Sequence, residues 1–178
     1  MRQAVASALN RNDLAPVSTS NQGTLANNLI VEAPVQWRTL VENVRHAARR
    51  LQSAGRVLLL EPVNTYDVPG FLVPTTGDGL RLIDEVGEPN VLLQFDAYHV
   101  HRMEGDPADR LSELLPRVGH VQIADDPGRH QPGTGEIDFA ALFRVLDSGY
   151  DGAVGLEYVP IPDTARSLRW LTELVWSA

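Results

Sequence analysis

Four short apolar runs, VLLLE (57–61), VLLQFD (91–96), HVQIA (120–124) and AVGLEY (153–158), alternate with longer amphipathic stretches, and each carries a polar residue at or near its end. Nearly continuous apolar character marks strands covered on both faces, and the stretches between them supply the covering helices. The rhythm predicts βα units around a parallel sheet. Helices are expected over 37–52, 76–86, about 106–115 and 164–177, and through FAALFRVLD after Asp138. Asp106-Pro107 and Asp138 read as N-terminal caps, and Gly149 as a C-terminal cap. Before residue 36, LAPVST (14–19) and LIVEAP (29–34) read as strands around the polar, turn-rich SNQGTLANN.

The chain has 178 residues, enough for one core, and is read as a single domain over 1–178 in which 36–178 follows the βα rhythm and 1–35 departs from it. No run approaches the roughly 20 apolar residues of a membrane span, and residues 1–13 lack the apolar centre of a secretory signal. A soluble, cytoplasmic protein is expected, with no membrane partner. There is no cysteine, so any metal must be held by oxygen or imidazole. Net charge is −8 and the fifteen basic residues, all Arg, are scattered along the chain, which argues against nucleic acid as a partner.

Parallel strands each followed by a helix fit either an open doubly wound sheet or part of a (β/α)8 barrel. Two features favour the barrel. Glu61, Asp96, Gln122 and Glu157 fall at or near the C-terminal ends of their strands, where barrel enzymes place catalytic groups. No glycine-rich phosphate fingerprint follows any strand. Strand alternation puts Leu59 and Glu61, Gln94 and Asp96, His120 and Gln122, and Gly155 and Glu157 on one face. A ring of carboxylates facing inward is costly unless compensated, and a divalent cation would compensate it. Oxygen ligands suit Mg²⁺ or Mn²⁺.

LLLEPVNTYDVPGF, LLQFDAYHVHRMEGD, HVQIADDPGRHQPGTGEIDF and GLEYVP resemble the hydroxypyruvate isomerase family, within the xylose-isomerase-like group of (β/α)8 TIM barrels. The resemblance covers about residues 36–178. It implies metal contacts from Glu61, Asp96, Gln122 and Glu157, with Glu61 and Glu157 also moving protons, and it places His99, Arg129 and His130 around the substrate. The implied reaction converts hydroxypyruvate to tartronate semialdehyde through an enediolate, a small 2-oxo acid chemistry that a cation assists by stabilising developing charge. Arg129 offers a planar fork for the substrate carboxylate. Related readings are a 2-oxo-tetronate isomerase, a keto-sugar epimerase or an inosose dehydratase.

His120 is expected behind Gln122, and His46 and His101 in solvent. Gly133 and Gly135 are expected to shape the turn into the helix after Asp138, and Trp37, Trp170 and Trp176 to pack in the core or at an interface. A complete barrel takes about 250 residues, so this one is expected to be incomplete in its early strands. Three outcomes follow: a fragmentary gene model, a homo-oligomer that completes its barrel from a neighbour, or a non-catalytic remnant that needs a partner.

Overall fold

The computed structural model describes residues 33–173. In chain order they form α1 (Ala33–Ser53), β1 (Leu58–Leu60), α2 (Thr76–Val86), β2 (Val91–Asp96), α3 (Ala97–Glu104), α4 (Pro107–Leu114), β3 (Val118–Ile123), α5 (Phe139–Asp147), β4 (Val154–Leu156), α6 (Thr164–Ser167) and α7 (Trp170–Glu173). The four expected strands are present, as is the alternation with helices. The expected strands 14–19 and 29–34 lie outside the described residues, apart from positions 33 and 34, which open α1. None of the described helices is long and apolar enough to cross a membrane.

The described residues divide into two compact units, 33–58 with 82–91, and 59–81 with 92–173. In the first, Val41, Ala47 and Ala48 of α1 are buried, as are Leu82, Ile83, Val86 and Val91. Arg45 donates to the carbonyls of Glu85 and Val86, which end α2 and lack partners within the helix. Asn90 donates to the carbonyls of Ala48 and Arg56 at 2.8 and 3.0 Å.

The second unit holds the sheet, whose order is β1-β2-β3-β4, with β2 parallel to β3 and β3 parallel to β4. Leu93 and Phe95 of β2, and Val121 and Ile123 of β3, are fully buried together with Leu111 and Leu142 of the covering helices. Each such side chain contributes about 2 kcal/mol through removal of apolar surface from water. Gln94, His120 and Gln122 alternate with them on the opposite face and stay partly exposed.

One irregularity decides which residues face the site. The β2–β3 register runs Leu93↔Val118 and then Gln94↔His120, so Gly119 is an extra residue on β3. Side chains alternate along a strand, so one extra residue exchanges its faces. Beyond Gly119, Gln122 pairs with Asp96 and Val121 with Phe95; without it, Val121 would stand beside Asp96. A Cβ on Gly119 would lie 2.7 Å from Leu59 Cδ2 and 2.9 Å from Leu92 Cβ, which explains glycine there.

The helices add one element that the sequence pattern did not mark and correct two expectations. A helix over 97–104 follows β2 directly, begun by Asp96, whose side chain accepts from the Tyr98 N–H. The expected 164–177 helix breaks into α6 and α7, with Leu168 and Arg169 between them. Gly149 does not cap α5; Ser148 does, with right-handed backbone and its N–H on the last carbonyls. The caps Asp106 and Asp138 are as read from the sequence.

Candidate functional site

The strand ends of the second unit carry a continuous polar row. Gln94 Nε2 donates to Glu61 Oε2 at 2.7 Å and also to Gln122 Oε1. Gln122 Nε2 donates to Glu157 Oε2 at 3.1 Å. Arg129 closes the row, donating from one terminal nitrogen to Glu157 Oε2 at 2.9 Å and lying 3.5 Å from Asp96 Oδ2. The structure therefore brings Glu61, Asp96, Gln122, Glu157 and Arg129 together at neighbouring strand ends.

Asp96 is 1% exposed. Its Oδ1 is used by the Tyr98 N–H at 2.9 Å, whereas its Oδ2 is buried without a hydrogen-bond partner among the described residues. Burial pushes its carboxyl up to about 6, against the opposing pull of the Tyr98 N–H and Arg129. Burial likewise pushes Glu61 up to about 7, reinforced by the charges of Asp96 and Glu157 and opposed by Arg129 and Gln94. Two neighbouring carboxylates whose ionised forms burial disfavours, one with an oxygen lacking a hydrogen-bond partner among the described residues, are what a cation would relieve. Glu61, Asp96 and His99 each offer an atom within 4.8 Å of the others, a group that could hold a metal ion.

His99 is in the first turn of α3 and is 3% exposed. Its Nε2 is 3.8 Å from both Glu61 Oε1 and Asp96 Oδ2, and its Nδ1 meets the Asn64 amide at 2.6 Å. Burial, with Arg129, pushes the ring down to about 4, so it is neutral at pH 7. Around it, Asp67 lies below the usual carboxylate range: burial opposes this, but hydrogen bonds from Asn64 and Tyr98 and the Arg102 charge prevail. Tyr98 donates its face to two guanidinium groups, Arg102 and Arg129, at 5.4 and 5.2 Å.

Arg129 is held in a left-handed backbone conformation, φ 54°, uncommon for a residue with a side chain and concentrated at functional sites. Its loop is held in two ways. Asp125, fully buried, accepts backbone N–H groups from Asp126 and Ile137 on Oδ1 and from Gly133, Thr134 and Gly135 on Oδ2. The loop is also stitched to the segment after β4: the Val159 N–H donates to the Arg129 carbonyl at 2.7 Å, and Gln131 exchanges hydrogen bonds with Ile161. His130 joins this stitching, its Nδ1 2.8 Å from the Val159 carbonyl and its ring against Gly128. It holds the loop that presents Arg129.

A family model described as xylose isomerase-like TIM barrel matches residues 5–174. The chain belongs to this family. Over 134 residues it is 47% identical to hydroxypyruvate isomerase of Escherichia coli, covering 75% of this chain and 52% of that protein. It is 42% identical to 2-oxo-tetronate isomerase of Cupriavidus necator over the same shares. Among solved structures, an AP endonuclease, family 2, from Brucella melitensis superposes with a TM-score of 0.76 at 38% identity, covering 80% of this chain and 55% of that one. The chain thus spans about half the length of the curated relatives it matches, and the described residues form part of such a barrel.

Several groups around this xylose isomerase-like site were not apparent from the sequence. Strand alternation places Gln94 on the site face but gives it no role, yet it joins Glu61 to Gln122. Asn64 and Asp67 lie in a loop without periodicity, and only the EPVN run beside Glu61 marks them. Asp125 precedes a stretch with Gly128, Gly133 and Gly135, a pattern that signals a loop needing buried caps. His101, expected in solvent, is part-buried with Nε2 3.9 Å from Asp126 Oδ2; the α3 helix turns it inward. His46 is exposed as expected, and Trp170 is buried against Phe143. Trp176 lies outside the described residues.

Proposed function

We propose that this chain carries the metal-binding and proton-transfer groups of an isomerase that interconverts hydroxypyruvate and tartronate semialdehyde. The observation behind this reading is the row of two amides, Gln94 and Gln122, with Glu61 at one end and Glu157 at the other. The names of the relatives at 47% and 42% identity support a keto-acid isomerase.

The reaction removes a proton from C3, returns one to C2, and passes the hydroxyl proton from O3 to O2. It needs two proton-carrying groups with different environments. Glu61, pushed up to about 7, is poised to accept or give a proton near neutral pH. Glu157, half-exposed and paired with Arg129, is the second. Glu61, Asp96, Gln122 and Glu157 would hold a divalent cation, which would supply Lewis-acid stabilisation of the negative charge that develops on the substrate oxygens. Mg²⁺ or Mn²⁺ fits this oxygen-rich set. Arg129 takes the substrate carboxylate; among the described residues its ion pairs run through one terminal nitrogen, which leaves other N–H groups of the fork for a ligand.

The test is turnover. Purified protein with Mg²⁺ or Mn²⁺ is expected to interconvert the two acids, and Glu157→Gln is expected to lower kcat by about 10³-fold or more. Undiminished turnover in that variant contradicts the assignment. A panel that includes 2-oxo-tetronate identifies the preferred acid.

A further inference from the structure

We propose that Asn64 locks His99 in the tautomer that carries its proton on Nε2, so that His99 faces Glu61 and Asp96 as a hydrogen-bond donor and not as a metal ligand. The inference rests on the reading above only for what that donor serves; the tautomer itself follows from the hydrogen bonds.

Asn64 is fully buried in the loop that follows β1. Two partners on Asp67 fix which way its amide points. The Asp67 backbone N–H donates to Asn64 Oδ1 at 2.8 Å, and Asn64 Nδ2 donates to the Asp67 carboxylate at 2.9 Å. Reversing the amide would set an N–H against an NH₂ and a carbonyl against a carboxylate. The amide NH₂ is therefore the end that meets His99 Nδ1 at 2.6 Å, and the Asn64 backbone N–H is directed at the same nitrogen at 3.5 Å. A nitrogen approached by two donors must keep its lone pair, so Nδ1 has no proton and the imidazolium form is excluded by geometry. The single N–H of the neutral ring is then on Nε2.

A nitrogen bearing a proton cannot ligate a metal. The three-residue group of Glu61, Asp96 and His99 thus divides into two oxygen ligands and one donor. The 3.8 Å from Nε2 to each carboxylate is too long for a hydrogen bond and leaves the N–H for a ligand oxygen. Asn64 is a positioning residue: it acts through His99 and touches none of the carboxylates in the row.

The experiment uses the full chain labelled with ¹⁵N-histidine, metal-free, with long-range ¹H–¹⁵N correlation and His99 assigned by its disappearance in His99→Gln. The expected wild-type pattern is one protonated Nε2 and one bare Nδ1, unchanged when Mg²⁺ is added. Asn64→Asp, which converts the donor to an acceptor, is expected to move the proton to Nδ1, and Asn64→Ala to give a mixture of tautomers. A wild-type Nδ1–H, a doubly protonated ring, or loss of the Nε2–H on adding Mg²⁺ overturns the proposal. So does an unchanged pattern in the Asn64 variants or, should these not fold, in Asp67→Ala, which frees the amide. None of these readouts involves turnover, so a chain that fails to isomerise hydroxypyruvate can still carry the tautomer, and an active one can lack it.

Discussion

Asp96 serves two structures with its two oxygens. Oδ1 accepts the Tyr98 N–H and starts α3, while Oδ2 is buried toward Arg129 and His99. An asparagine can keep the first role and lose the second. Asp96→Asn is therefore expected to leave the metal-free melting temperature at pH 7 unchanged or higher, because it removes a poorly solvated charge, while weakening Mn²⁺ binding on the order of 100-fold or more. Calorimetry and titration separate the two effects; a variant that unfolds and still binds metal contradicts the division of labour. Glu61 and Asp96 also set a pH dependence. Their carboxyls rise from ordinary values of 4.5 and 3.8 to about 7 and about 6 in the fold. Between those limits the folded chain keeps protons that the unfolded chain releases, so stability is fully present at the acid end and is lost as pH rises through the folded values. The melting temperature of the metal-free protein should fall from about pH 4 to 7, with a shallower fall in Glu61→Gln. Metal affinity should rise over the same window, because binding requires the deprotonated forms.

At the scale of elements, two small devices place the site. The first is the extra residue Gly119, which turns His120 and Gln122 toward Gln94 and Asp96. Gly119→Ala is expected to cost about 1–3 kcal/mol through overpacking against Leu59 and Leu92, read as a shift in the urea midpoint. The second is Asp125, whose five accepted backbone N–H groups hold the loop that carries Arg129. Asp125→Ala strands several buried donors and is expected to cost at least about 3 kcal/mol; a loss under about 1 kcal/mol would contradict this role. The strands and the polar ends of VLLLE, VLLQFD and HVQIA were legible in the sequence because burial on both faces leaves a continuous apolar run that stops where the site begins. The bulge was not, since one glycine in VGHVQI leaves the run apolar whichever face it serves. Helix α3 was hidden for a related reason: Asp96 ends a strand and caps a helix with no intervening loop. The 125–137 loop and Asn64 were hidden because their contacts are long-range backbone and side-chain hydrogen bonds that leave no period in the sequence.

For the whole molecule, the described sheet has four strands in the order β1-β2-β3-β4, and the chain matches about half the length of its curated relatives. The groups proposed for chemistry nevertheless all fall in one compact unit, 59–81 with 92–173. That unit contains both glutamates, Asp96, both glutamines, His99 and Arg129. The proposed proton abstraction therefore rests on residues this chain itself supplies. The most direct measurement is proton exchange in D₂O, followed by NMR, with hydroxypyruvate, the purified chain and saturating Mn²⁺, which is removed before spectra are taken. Deuterium is expected at C3 of recovered hydroxypyruvate and at C2 of tartronate semialdehyde, with both signals absent in Glu61→Gln and Glu157→Gln. No exchange above the metal-only control in the wild-type protein, or equal exchange in both variants, would contradict the proposed proton abstraction.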